Sequence, residues 1–77
     1  MKIKILFFGQ LSEIINASEL ELLAINNTDE LNKKLFDLYP KLEDMKFSLA
    51  INKKIIHENT PLNNEDIVAL LPPFSGG

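Results

Sequence analysis

The apolar positions fall into short alternating runs separated by one longer run of helical period. At the amino end Lys2-Ile3-Lys4-Ile5 alternates and then gives way to Leu6-Phe7-Phe8. This predicts a strand over residues 2–8, with Ile3, Ile5 and Phe7 on one face and Lys2, Lys4, Leu6 and Phe8 on the other. Gly9 breaks it. Leu11, Ile14 and Ile15 have the i, i+3, i+4 spacing of a short helix, and Asn16-Ala17-Ser18 is a turn. Alternation returns at Glu19-Leu20-Glu21-Leu22, predicting a second strand that runs to about Ile25.

A helix-start signal follows at Asn26-Asn27-Thr28-Asp29-Glu30. Asn27 or Thr28 can cap, and Asn27 with Glu30 three residues on is a capping-box pattern. Leu31, Leu35 and Leu38 recur at i, i+4, i+7, with Phe36 and Tyr39 beside them. This stripe is expected in the core of a main helix that Pro40 stops. Phe47, Leu49 and Ile51 alternate with Ser48, Ala50 and Asn52 as a third strand. Asn52-Lys53 is expected to be a tight hairpin into a fourth, Lys54-Ile55-Ile56, although Asn-Lys is a poorer turn pair than Asn-Gly. The turn-forming residues Thr60 to Asp66 lead into a last strand, Ile67 to Leu71, which Pro72-Pro73 ends. The order β-α-β-α-β-β-β predicts an α+β fold, a mixed sheet of about five strands with one main helix across one face and a short helix after the first strand.

Composition narrows the chemistry. Seventy-seven residues make one domain, and 45% apolar with 25% charged residues is ordinary for a globular chain. There is no cysteine, hence no thiol nucleophile, redox pair or thiolate ligand. Any sulfur handled here must ride on something other than a side chain. The net charge of −3 and the scattered lysines argue against nucleic acid binding. The apolar run near the start is too short for a signal peptide or a membrane span, and a cytoplasmic protein is expected. His57, the lone histidine, is expected at the surface, and Glu65-Asp66 in a structural turn rather than as an acid–base pair.

The informative segment is the end, Leu70-Leu71-Pro72-Pro73-Phe74-Ser75-Gly76-Gly77. A buried strand anchors it, Pro72-Pro73 stiffens the exit, and the tip has almost no side-chain bulk. Extended, residues 73–77 reach up to roughly 17 Å, enough to enter a narrow channel in another protein. The unhindered terminal carboxylate suits activation as an acyl-adenylate. The expected organisation is a folded domain over residues 1–73 and a flexible tail over 74–77.

Three stretches carry a resemblance over essentially the whole chain. They are Leu6-Phe7-Phe8 with the helix after it, Asn63-Asn64-Glu65-Asp66, and Val68 through Gly77 with its Pro-Pro-x-Ser-Gly-Gly ending. Together they resemble the small, sulfur-carrying subunits of molybdopterin synthases, within the ubiquitin-like β-grasp proteins. Glu65 departs from a family that often has Gly there.

The resemblance implies that a ubiquitin-activating-like enzyme adenylates Gly77 with ATP, and that a sulfur donor converts it to a thiocarboxylate. The tail then delivers sulfur to cyclic pyranopterin monophosphate in the large subunit of a heterotetramer. Gly76 would give the tail access, and Pro73, Phe74 and Ser75 would contact the partner. Phe8, Ile55 and Leu71 match positions of apolar contact with the large subunit. No bound cofactor or metal is implied, and the chain would not be catalytic alone. The alternatives are a thiamine-pathway sulfur carrier, which shares the fold and the Gly-Gly end, and a ubiquitin-like modifier.

Overall fold

A computed structural model describes residues 1–73. The elements run β1 (Lys2–Phe7), α1 (Gln10–Ile15), β2 (Glu19–Leu23), α2 (Thr28–Leu38), a 3₁₀ turn (Pro40–Asp44), β3 (Ser48–Ile51), β4 (Lys54–Ile56) and β5 (Ile67–Leu71). The five strands form one mixed sheet in the order β2-β1-β5-β3-β4. β1 and β5 are parallel, and the other neighbours are antiparallel. This is the β-grasp arrangement expected from the sequence.

Strand parity places the core as anticipated. Ile3, Ile5 and Phe7 of β1 and Val68 and Leu70 of β5 are buried on one face, where they cluster with Leu31 and Leu35 of α2. Each such aliphatic side chain withdrawn from water stabilises the fold by about 1.5–3 kcal/mol. In β3, Leu49 is buried and Ile51 packs against the cluster. Ala50, which points to the opposite face, is buried as well, because β3 lies inside the sheet with Ala69 and Ile55 as its cross-strand neighbours.

The start of α2 follows its signal. Asn27 is the cap: its Oδ1 accepts from the Glu30 N–H at 2.9 Å, while Glu30 Oε1 accepts from the Asn26 N–H at 3.0 Å. The reciprocal bond therefore lands one residue earlier than in a standard capping box. Thr28 is buried and accepts at Oγ1 from the Thr60 N–H at 2.9 Å, tying the helix to the loop before β5.

Several expectations are corrected. Leu38 is not core but 44% exposed. At that end of the core the Tyr39 ring meets Phe7 edge-on at 6.0 Å, and Leu42 is fully buried on the 3₁₀ turn after Pro40. Leu38 is left in a shallow surface groove with Ile14 and Pro40. The 3₁₀ turn itself has too few residues for its period to show in the sequence. β1 ends at Phe7, not Phe8, and β2 ends at Leu23, because Ala24 turns into the left-handed region with φ 61°. Phe47 precedes β3 and packs edge-on against Phe36 of α2 at 6.2 Å.

The Asn63–Asp66 turn shows why glycine suits it. Glu65 has φ 68°, the left-handed conformation that glycine adopts without cost, and its N–H donates to Lys2 O at 2.6 Å. The departure at Glu65 thus leaves the backbone in a glycine-compatible conformation. We expect Glu65→Gly to stabilise the fold by about 0.5–1 kcal/mol, measured by urea unfolding; a loss of stability would show that this position carries no strain.

Candidate docking face and tail exit

The site is built around β5. This strand is the middle one of the sheet, paired on one side with β1 and on the other with β3. Val68 and Leu70 are fully buried, so the chain leaves the domain from its best-anchored strand. Beyond the last ladder position, Phe8 N–H donates to Leu70 O at 3.2 Å. Pro72 then ends the ladder because it has no N–H to donate.

Gly9 holds this exit. Its φ of 56° and ψ of −134° mirror an extended conformation and are open in practice to glycine alone. A Cβ at this position would lie 3.0 Å from Pro72 Cγ. The turn between β1 and α1 therefore lies directly against the first proline of the exit. From the sequence Gly9 was read only as a strand breaker, since nothing in the linear chain brings it next to Pro72.

The sheet's other face carries the apolar surface. The register aligns Leu6 with Ala69, Ala69 with Ala50 and Ala50 with Ile55, giving one apolar row across four strands. Phe8 (44% exposed) and the half-buried Leu71 flank this row on the exit side, and Ile67 flanks it on the other. A depression of about 370 Å³ is lined by Leu6, Phe8, Asn52, Lys53, Ile67 and Ala69. Phe8 and Ile55 remain accessible, as a docking role requires, and Ile56 packs inward against the core in place of its neighbour. Ile67 belongs to the same patch and was not singled out from the sequence, although its β5 parity with Ala69 and Leu71 was the available signal.

Toward β2 the face becomes polar and charge-balanced. Lys2 Nζ lies 3.5 Å from Glu21 Oε2, and Lys4 Nζ lies 3.7 Å from Glu19 Oε2. Both pairs are exposed and contribute little to stability. Asp66 is not poised for acid–base work: Oδ1 accepts from Asn52 Nδ2 at 3.0 Å and Oδ2 from the Asn63 N–H at 2.8 Å. His57 is exposed, and no group of three potential metal ligands occurs among the described residues. Among those residues, too, no helix is long and apolar enough to cross a membrane.

Pro73 is exposed at the exit. Phe74, Ser75, Gly76 and Gly77, the remaining tail residues singled out from the sequence, lie outside the described residues.

Comparison with known proteins gives a consistent result. Residues 5–77 match the ThiS family. The molybdopterin synthase sulfur carrier subunit of Escherichia coli K12 is 32% identical over 80 residues, covering 97% of this chain and 99% of that protein. Among solved structures, the complex of subunits 1 and 2 of the molybdopterin-converting factor from Helicobacter pylori contains a chain 31% identical, with a TM-score of 0.75 and all of both chains covered. Small archaeal modifier protein 1 from Methanosarcina acetivorans is 25% identical with a TM-score of 0.83, covering 99% of this chain and 96% of that one.

The Gly9–Pro72 contact has a measurable consequence. Gly9→Val is expected to lower stability by about 1–3 kcal/mol, because a branched residue must adopt a strained conformation and displace the proline. It should also accelerate hydrogen exchange at the Phe8 amide more than at Ile5. Unchanged exchange at Phe8 would show that the turn does not support the exit.

Proposed function

The chain belongs to the ThiS family, and we propose that within it this protein is the sulfur-carrying subunit of a molybdopterin synthase. The reading rests above all on a sequence ending in Pro72-Pro73-Phe74-Ser75-Gly76-Gly77 that follows directly on the central strand of the sheet. The molybdopterin names of relatives at 32% and 31% identity support it over the thiamine-pathway and modifier alternatives.

In the proposed cycle, a carboxylate oxygen of Gly77 attacks the α-phosphorus of ATP on a ubiquitin-activating-like enzyme. Pyrophosphate leaves and an acyl-adenylate remains. Sulfide delivered by a sulfur donor attacks the acyl carbon, expels AMP and gives up its proton, leaving a thiocarboxylate. The tail, residues 74–77, would enter the large subunit, where the thiocarboxylate sulfur attacks an oxygen-bearing side-chain carbon of cyclic pyranopterin monophosphate and that carbon–oxygen bond breaks, the oxygen leaving with its electron pair. Water then cleaves the acyl–sulfur bond and regenerates the carboxylate. Two such transfers build the dithiolene. This chain supplies the carrier group, a neck narrow enough to pass, and a rigid base, while acid–base catalysis belongs to the partner.

Docking would use the apolar outer face. Phe8, Ile55 and Leu71 provide exposed or half-exposed apolar area on this face and Pro73 is exposed at the exit, and Phe74 and Ser75 would add further partner contacts. The carrier and the large subunit would together form a heterotetramer. Such a patch on a small monomer is what a partner covers.

Intact mass spectrometry tests the chemistry. After incubation with the adenylating enzyme, ATP and sulfide, the chain should gain the mass difference between sulfur and oxygen. One residue added after Gly77 should abolish the gain, because the reactive carboxylate is displaced from a passage sized for glycine. High-mass conjugates to lysines in place of the thiocarboxylate would establish the modifier function instead. For docking, Phe8→Asp and Ile55→Asp should each weaken association with the large subunit at least about tenfold while the chain stays folded. Unaltered affinity in both would exclude this face.

A further inference from the structure

The β3–β4 hairpin places a cation on the rim of the apolar face, in a conformation that costs the fold something to maintain. Asn52 has φ 49° and Lys53 has φ 76°, both positive as a type I′ turn demands. Glycine is the favoured residue at the second of these positions, because a Cβ there crowds the backbone. Here the position holds lysine.

The turn is held in place from β5. Asn52 N–H donates to Ile67 O at 2.8 Å, Ile67 N–H donates to Asn52 Oδ1 at 3.0 Å, and Asn52 Nδ2 donates to Asp66 Oδ1 at 3.0 Å. These bonds fix Lys53 beside Ile67, where it lines the depression formed with Leu6, Phe8 and Ala69. On the opposite flank of the same face the lysines are already matched, Lys2 to Glu21 and Lys4 to Glu19. Lys53 forms no ion pair among the described residues. The face is therefore apolar at its centre, neutralised on the β2 side and cationic on the hairpin side, on a chain whose net charge is −3.

We propose that Lys53 is part of the docking surface and that the large synthase subunit meets it with a carboxylate, a polar rim contact that sets the rotational register of the carrier about its tail. The inference rests on the docking face proposed above. The exit of β5 at Pro72-Pro73 defines the direction of approach but not the rotation about it. An off-axis charge pair supplies that second constraint. Rim charges act mainly on encounter, so the effect belongs in the association rate and its salt dependence.

The test measures association of the full-length chain with the purified large subunit by stopped flow or surface plasmon resonance, across a range of ionic strength. Lys53→Glu should reduce the association rate constant about tenfold at low salt, and the deficit should shrink as salt rises. Lys33→Glu makes the same change in net charge on α2, across the sheet, and should leave the rate within about twofold of the parent. Lys53→Gly should leave the melting midpoint unchanged or raise it, since the turn is relieved of strain, yet still slow association severalfold. Equal behaviour of Lys53→Glu and Lys33→Glu would overturn the inference. If Phe8→Asp still abolishes binding in that case, the docking face stands and only the role of Lys53 falls. If Phe8→Asp and Ile55→Asp are also both without effect, the docking face itself is wrong.

Discussion

Hydrogen bonding of β5 on both edges is the constraint on which the rest of this molecule depends. The strand lies between β1 and β3, with Val68 and Leu70 sealed beneath α2. A carboxyl-terminal strand at a sheet edge could fray, and whatever followed it would leave in a shifting direction. A central strand cannot move without breaking two ladders and exposing the core. Pro72 then terminates the ladder at a defined point, and Gly9 provides the surface against which it turns. On the proposed reading, a terminal group carried between enzymes would gain from such a base, because the entropy lost on entering a channel is smaller when its root is already fixed.

Several residues take positive-φ backbone around this base, at a steric cost for Glu65 and Lys53 and without one for Gly9. Gly9 and Glu65 occupy positive-φ positions, and so do Asn52 and Lys53, next to the start of β5 or its exit. Each is compensated by nearby bonds: Glu65 N–H to Lys2 O, Asn52 to both Ile67 and Asp66, and the Phe8 amide to Leu70 O. The two ends of β5 are thus clamped by turns whose conformations the surrounding sheet enforces. Asp66 is spent on this clamp, with both carboxylate oxygens hydrogen-bonded.

The two sides of the sheet divide the work. One is filled by α2, the 3₁₀ turn and β-strand residues of matching parity, and gives the domain its stability. The other is left with a row of small and aliphatic side chains, Leu6, Ala69, Ala50 and Ile55, that no helix among the described residues covers. A sheet of this size with one helix needs cover on only one face to fold. The second face is then available for a partner, and its apolar row crosses β5, the strand that leads to the exit.

Much of this was legible in the linear chain. Alternation of period two placed Ile3, Ile5, Phe7, Val68 and Leu70 on one face, because a strand's geometry leaves no other choice. Asn27 announced the helix, and the Pro-Pro pair marked the end of the last strand. Local pattern could not decide contacts between distant segments. Leu38 has the spacing of a core residue but lost its place to Tyr39 and Leu42, since what fills the end of a core depends on how the chain returns after Pro40. Gly9 and Pro72 are 63 positions apart in the sequence, and only the parallel pairing of β1 with β5 makes one the support of the other. Asn52-Lys53 is a weak turn by propensity, and it forms because Ile67 and Asp66 hold it. Period and chemistry are local properties and can be read along the chain. Strand order, and with it the identity of each residue's neighbours, comes from the burial of all the apolar faces at once.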